Sequence, residues 1–450
     1  MVDFLWNLGS FIVALGILVA VHEWGHFWVA RRCGVHVLRF SIGFGKPLWS
    51  TRDKQGTEYV VAAIPLGGYV RMLDERVDEV APEFKNHTFN CKTVKQRMAI
   101  IAAGPGVNFI FAIFALFLMY LIGVQTVKPV LGEVPAGSFA AQGGLAANDE
   151  IVKVGTRETV DWSAVNLELM SYIGEARLPI TVKRESGVTQ QLVLPIDTWK
   201  FDPETESAWR SLGLIPFRPD VTLEVATVAE DSPASLAGLA VGDTLLKLGT
   251  QRIDSWQQAV EIITANPGES MSVTVRRDGR EEILVVTLDS VATEQGSRGY
   301  LGMAPRVEPW PEGIVFIHQY GVFAAVSNAI DGMWRYTTVS LDMLAKLFTG
   351  DVSVKNLSGP ISIAQGAGIS AEYGIVEFLR FLAIISVSLG IINLLPIPLL
   401  DGGHLLYLLV ESITGKPVSE QTQELGFKIG GLLLLTLMGV AIFNDIARLA

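Results

Sequence analysis

The chain has 450 residues, of which 50% are hydrophobic and 18% charged, with a mean hydropathy of +0.38. That balance is too apolar for an ordinary soluble enzyme and too charged for membrane helices alone, so apolar spans and a soluble part share one polypeptide. Its 35 basic and 46 acidic residues give a net charge of −11, which excludes the basic face of a nucleic-acid binder; two cysteines, Cys33 and Cys91, exclude a disulfide framework.

The first apolar stretch runs from about Leu8 to Ala30, long enough to cross a bilayer. It begins Met-Val-Asp, has no Lys or Arg before Arg31, and outruns the apolar core of a signal peptide, so a retained helix is expected. Inside it lies His22-Glu23-Trp24-Gly25-His26. Histidines four apart project from one helical face and suit a tetrahedral zinc that needs a third protein ligand and keeps one open position. Glu23 on the adjoining face is placed to take a proton from a water there. The alternatives are a structural polar cluster or a transporter-like proton relay, which leaves the histidine spacing unexplained.

Between Arg31 and Arg97 stand twelve Lys and Arg residues, and the tail before the first span has none. The positive-inside rule puts this segment in the cytoplasm, with the N-terminus outside and both cysteines on the reducing side. Alternation in Tyr59-Val-Val-Ala-Ala-Ile is compatible with a strand. A second span runs from about Met98 to Val124, and Asn108 within it is expected to hydrogen-bond a neighbouring helix.

From about Gln125 to Tyr373 the composition turns soluble, and this region lies outside. It is a duplication: at an offset of 94 residues Asp149 pairs with Asp243, Gly144-Leu145-Ala146 with Gly238-Leu239-Ala240, and Trp162 with Trp256. Each copy resembles a PDZ domain, a fold that captures peptide termini by adding a strand to a sheet edge. The first copy departs from the pattern, with Asn148 before Asp149 where the second has Gly242, and Phe139 where the second has Pro233. Folded spacers that bind nothing are the other reading. Phe323 to Phe348 is amphipathic and is expected either along the outer membrane surface or against the second copy. His36, His87 and His318 are isolated and expected to be solvated rather than metal-bound.

The third span, about Ile375 to Leu395, runs in the same direction as the first, so its cytoplasmic end is where a third ligand is expected. That end reads Asn393-Leu-Leu-Pro-Ile-Pro-Leu-Leu-Asp401-Gly-Gly-His404, and Pro396 and Pro398 should unwind the backbone. Asp401 is the favoured ligand; a helix N-cap role for it, or His404 as ligand instead, are the alternatives. The fourth span covers about Phe427 to Phe443.

His-Glu-x-x-His in the first span, Leu400-Asp-Gly-Gly-His404 after a later one and a PDZ-like insert between them resemble the site-2 proteases. Arg39-Phe-Ser-Ile-Gly-Phe-Gly45, Pro65-Leu-Gly-Gly-Tyr69, Gly104-Pro-Gly-Val-Asn108 and Leu357-Ser-Gly-Pro-Ile-Ser-Ile-Ala364 extend the resemblance over essentially the whole chain, to the tandem-PDZ bacterial branch. The resemblance implies a polytopic α-helical inner-membrane protein with four spans. It places a membrane-associated β-hairpin in 1–124, PDZ-like domains at 125–220 and 221–306, an amphipathic connector at 307–374 and the last two spans in 375–450. It implies zinc on His22, His26 and Asp401, Glu23 as general base, and Asn393 holding the substrate backbone. The hairpin, Ser41 to Gly45 with Ile64 to Met72, would pair with unwound substrate around Gly43, Gly45, Gly67 and Gly68; ordinary turn roles for Gly43 and Gly45 are the alternative. The implied activity is intramembrane cleavage of single-pass membrane proteins, namely an anti-sigma factor already trimmed outside and remnant signal peptides. Peptide termini at the PDZ-like copies and the lipid bilayer are the further partners. A non-enzymatic PDZ-bearing receptor for misfolded envelope proteins is the competing class; a transporter is disfavoured because no inverted repeat of the spans is visible.

Overall fold

In a bilayer every backbone amide must be satisfied within its own segment, so a long apolar run has little choice but helix. The computed structural model describes residues 2–201, 207–293 and 296–449. Among them, four helices are long and apolar enough to span a membrane. They are α1 (Val2–Arg32), α2 (Val94–Ile122), a third span (Ile375–Leu394) and a fourth (Glu420–Leu449). The first and fourth run beyond their expected limits, because nothing stops a helix where its apolar stretch ends.

Small residues set how closely the spans approach. A Cβ on Gly25 would lie 2.4 Å from the carbonyl oxygen of Ala103 in α2, and one on Gly390 would lie 2.9 Å from the Phe109 ring. The α2 helix starts at a capping box, with Thr93 and Gln96 each satisfying the other's orphan amide. Ala112, Ala115, Leu116 and Met119 of α2 then pack with Ala383, Val387 and Ile391 of the third span. The fourth span ends in a buried carboxylate: Asp445 accepts the amides of Gly359 at 2.9 Å and Ile361 at 2.8 Å. Those amides open the helix Pro360–Glu372, whose cap residue Gly359 has no side chain of its own. Here a negative charge meets a helix N-terminus, and a Cβ at 359 would collide with it.

Between α1 and α2 the chain forms a long antiparallel hairpin, β1 (Val37–Arg52) and β2 (Glu58–Met72). Asp53 makes its turn by accepting the amides of Gln55 and Thr57. The hairpin is strongly bent: residues 39–42 face 58–61 on one side and 68–71 on the other. The expected pairing of Ser41–Gly45 with Ile64–Met72 is therefore one part of a larger structure.

The two copies repeat their contacts as well as their letters. Asp149 accepts the amide of Ala146 at 2.9 Å and is ion-paired with Arg184; Asp243 accepts that of Ala240 at 2.9 Å and pairs with Arg277 at 2.7 Å. Asn148 and Gly242 both take positive φ, 67° and 93°. Asparagine tolerates the left-handed region better than most residues, so that departure leaves the turn intact. In the first copy the strands run in the order Arg157–Glu158, Glu150–Val154, Arg177–Lys183, Thr189–Pro195. In the second the order is Arg280–Thr287, Ser270–Arg277, Thr244–Leu248, Val221–Val228, Met303–Val307. Sheet-rich regions of this kind fit PDZ-like domains.

The chain forms two bodies, Met1–Pro129 with Val134–Ile215 and Phe316–Ala450, and Val130–Glu133 with Pro216–Val315. Within the first, the amphipathic segment is the helix Val322–Thr349. Its Arg335 pairs with Glu168 and its Lys346 donates to the Ser171 carbonyl, so its buried face meets the first copy as well as α2. His318 is half-buried and shares a hydrogen bond with the Tyr320 hydroxyl, a correction to the solvated position expected for it.

Burial alone would push the Asp243 carboxyl up, but Arg277 and the Ala240 amide outweigh it and hold the group below its usual value. A depressed carboxylate contributes stability that is complete above the unfolded value of about 4 and is lost as pH falls through the folded value. Arg277→Met is therefore expected to destabilise the second body by about 2–3 kcal/mol at pH 7, the pair being only partly shielded from water. Hydrogen exchange of the Ser270–Arg277 amides measures this, and the difference from the parent should shrink as pH falls below about 4.

Candidate metal centre

The α1 helix carries His22, Glu23 and His26 into the interior, where Glu23 and His26 are buried. The spacing of four places both imidazoles on one face, and their Nε2 atoms lie 3.3 Å apart. The third side chain arrives from the broken backbone after the third span. Pro396 and Pro398 keep 395–400 out of helix, and Leu399 is held at φ 92°, a strained position for a branched residue. Gly402 and Gly403 follow because a Cβ at either would strike the carbonyls of Leu395 or Ile397. The helix Asp401–Thr414 takes Leu400 as its cap, so Asp401 is its first residue and the N-cap alternative does not hold. Its Oδ2 instead lies 3.3 Å from Nε2 of both His22 and His26.

These three donors form a triangle with every side 3.3 Å. A regular tetrahedron whose corners lie about 2.0 Å from its centre has edges of about 3.3 Å, and about 2.0 Å is the usual zinc distance to imidazole nitrogen and carboxylate oxygen. Asp401 Oδ2 is buried with no other hydrogen-bond partner among the described residues. Two nitrogens and one oxygen leave a fourth corner open. The donor set fits a catalytic rather than a structural metal ion.

Orientation of the rings supports the same fit. His26 Nδ1 lies 2.9 Å from the carbonyl oxygen of Ile100. A carbonyl only accepts, so Nδ1 carries the proton and Nε2 keeps its lone pair toward the centre. Gly104 makes room for that ring, since a Cβ there would lie 2.2 Å from His26 Nε2. Pro105 loosens the same turn of α2. Asn108 sits one turn further on, fully buried, with its amide nitrogen 3.1 Å from His22 Nδ1; the expected bond to a neighbouring helix is thus to α1. Gly25, Gly104 and the Ile100 carbonyl carry no individual signal in the sequence. The available signal was the Gly104-Pro-Gly-Val-Asn108 run, which places backbone-exposing and polar residues inside a span.

A cavity of about 580 Å³ opens on the triangle and is lined also by Glu23, Gly67, Gly68, Val70, Asn393 and His404. The Val70 amide points at the Glu23 carboxylate. Gly68 lets strand 68–72 lie against α1, because a Cβ there would lie 3.0 Å from Glu23 Cγ and 2.7 Å from Val19. Gly67 takes φ 116°, with the Phe44 ring where a Cβ would be. Gly43 and Gly45 take positive φ, 91° and 85°, where β1 shifts register, and are not among the residues lining this cavity. His404 faces the cavity with its ring 5.7 Å from Phe427, and among the described residues only His22, His26 and Asp401 gather as a donor set.

Residues 10–437 match peptidase family M50. A regulator of sigma-E protease (RseP) from Escherichia coli K12 is 50% identical over 450 residues, covering 100% of both chains. A Vibrio cholerae protein whose name includes the words zinc metalloprotease is 49% identical over 452 residues, again across 100% of each. The crystal structure of a PDZ domain of an SdrC-like protein from Listeria monocytogenes matches 20% of this chain and 90% of its own. Its 20% identity and TM-score of 0.17 are too slight to bear on the fold.

With only two protein donors left, Asp401→Ala is expected to weaken Zn2+ binding at least tenfold, measured by competition with a chromophoric chelator. His404→Ala should bind as the parent does; loss in His404→Ala with none in Asp401→Ala would move the third donor to His404.

Proposed function

The chain belongs to peptidase family M50, and on that premise we propose that it is a zinc-dependent intramembrane endopeptidase cutting single-pass membrane proteins at the centre of His22, His26 and Asp401. It is a membrane metalloprotease. The observation that carries the finer reading is the triangle of donors 3.3 Å on each side, with Glu23 lining the same cavity. Zinc held there would supply Lewis acidity toward the scissile carbonyl and acidify a water.

The chain's own groups carry the rest. Glu23 takes the proton of the attacking water and hands it to the leaving amine nitrogen, so one carboxylate serves as base and then as acid. A helical substrate hides its carbonyls in its own hydrogen bonds, so it must unwind to be cut. Strand 68–72 has one edge occupied by 37–42 and lines the cavity with Gly67, Gly68, Tyr69, Val70 and Met72. An unwound segment added along the cavity side would be held extended by main-chain hydrogen bonds, the mode of recognition by strand addition. Asn393, at the end of the third span, then holds the substrate backbone from the opposite wall.

Twelve basic residues between 31 and 97 support placing the hairpin and the inner end of the site on the cytoplasmic side of a bacterial inner membrane, with the two PDZ-like copies in the periplasm. The name of the Escherichia coli relative ties that protein to sigma-E regulation. An anti-sigma factor already trimmed outside is accordingly the proposed substrate here, with remnant signal peptides as a second class. The PDZ-like copies are proposed to take peptide termini.

Glu23→Gln is the direct test. The amide keeps the size of the side chain but cannot accept the proton, so zinc content should stay unchanged while cleavage of a transmembrane substrate falls by about 10²–10⁴-fold. Undiminished cleavage would end the protease mechanism and favour a receptor that holds its ligand without cutting it.

A further inference from the structure

Antiparallel packing of α1 and α2 brings a single face of α2 along both histidines. Ile100, Gly104 and Asn108 recur at four-residue spacing, against His26, His26 and His22 respectively. His26 is oriented from outside by the Ile100 carbonyl at 2.9 Å. Among the described residues no backbone group reaches His22 in the same way; the polar group beside its Nδ1 is the Asn108 carboxamide at 3.1 Å.

Asn108 is fully buried, in the middle of a helix long and apolar enough to cross a membrane. A polar side chain there is costly unless it is used. Its backbone carbonyl accepts the Ser386 hydroxyl at 2.8 Å, which ties α2 to the third span without engaging the side chain. The side-chain Oδ1 is buried with no hydrogen-bond partner among the described residues. For His22 to offer Nε2 to the centre, its Nδ1 must carry the proton and needs an acceptor. Turning the carboxamide about its last bond exchanges oxygen for nitrogen with no change of shape, and presents the unpartnered acceptor to that N–H.

We propose that Asn108 is the positioning residue of His22: its side-chain oxygen accepts the Nδ1 proton, fixing the ring so that Nε2 faces His26 and Asp401. This rests on the proposed metal centre. One face of α2 then supports both histidines, by main chain for His26 and by side chain for His22. Asn108 touches neither substrate nor metal; it acts through the ring.

Metal binding by the full-length protein in detergent tests this directly. Zn2+ affinity is read by chelator competition, and the absorption bands of the Co2+-loaded protein report the geometry at the metal. Asn108→Leu, similar in size but unable to accept, should lose about 10–100-fold in affinity, the usual consequence of removing an outer partner of a ligand, and should shift the cobalt bands. Asn108→Asp restores an acceptor and should bring affinity to within a few-fold of the parent, with the parent spectrum. If the Leu protein does not fold, Asn108→Ala against Asn108→Asp makes the same comparison. Parent-like affinity in Asn108→Leu, or equal losses in the Leu and Asp proteins, would overturn the proposal. His22→Ala in the same assay separates the two readings: parent-like binding there would overturn the metal centre itself, whereas its loss beside an unaffected Asn108→Leu would overturn only the role of Asn108.

Discussion

Three polar donors meeting inside apolar helices is the constraint on which the rest of this protein turns. An imidazole or carboxylate within a span is expensive unless each of its atoms has a partner. His22, His26 and Asp401 point one atom apiece at a common point, at mutual distances of 3.3 Å. The outward nitrogen of each ring finds a group on α2, the Ile100 carbonyl for one and the Asn108 carboxamide for the other. Gly25 and Gly104 let α2 come close enough to serve, since side chains at either position would hold the helices apart. The close approach of the two helices and the donor set are therefore one feature.

The same economy of space shapes the route to the centre. A peptide bond must be presented extended, and a membrane interior has no water to satisfy an unwound segment. A bent hairpin beside α1 offers strand 68–72 to the cavity, and Gly68 is what permits the strand to lie against Glu23. On the far wall, two prolines end a helix that would otherwise have continued, which leaves Asn393 at a helix end and turns Asp401 inward. The strain at Leu399, φ 92°, falls two residues before Asp401, where a tight reversal is needed to aim that carboxylate.

The two sheet-rich copies follow ordinary soluble-protein rules. In each, a buried aspartate closes a turn through a backbone amide and is neutralised by an arginine at or just past the end of a strand. That the pair recurs as Asp149–Arg184 and Asp243–Arg277 shows the duplication persisting in energetics where letters have drifted. The fourth span's Asp445 applies the same physics to a helix start, supplying the charge that Gly359 cannot.

Much of this was legible in the amino-acid sequence, because some constraints are local. Four apolar stretches imply four helices, since a bilayer admits little else. The repeat at an offset of 94 residues implies two similar soluble copies, and histidines four apart on a helix imply a shared donor face. The prolines at 396 and 398 announced an unwound segment ahead of Asp401. What depended on distant segments meeting was decided by tertiary structure alone. The sequence favoured Asp401 as a donor over a helix cap, but only packing put Leu400 at the cap and the Asp401 carboxylate beside two histidines. Gly67 and Gly68 line the cavity while Gly43 and Gly45 sit at a register shift of β1, a difference set by how the hairpin curls. Asn108 read as one polar residue in a span; its meaning lies in the ring of His22, 86 positions away along the chain and 3.1 Å away in space. Local spacing specifies which atoms share a face, but which face meets which is settled only when side chains from separate helices compete for the same volume.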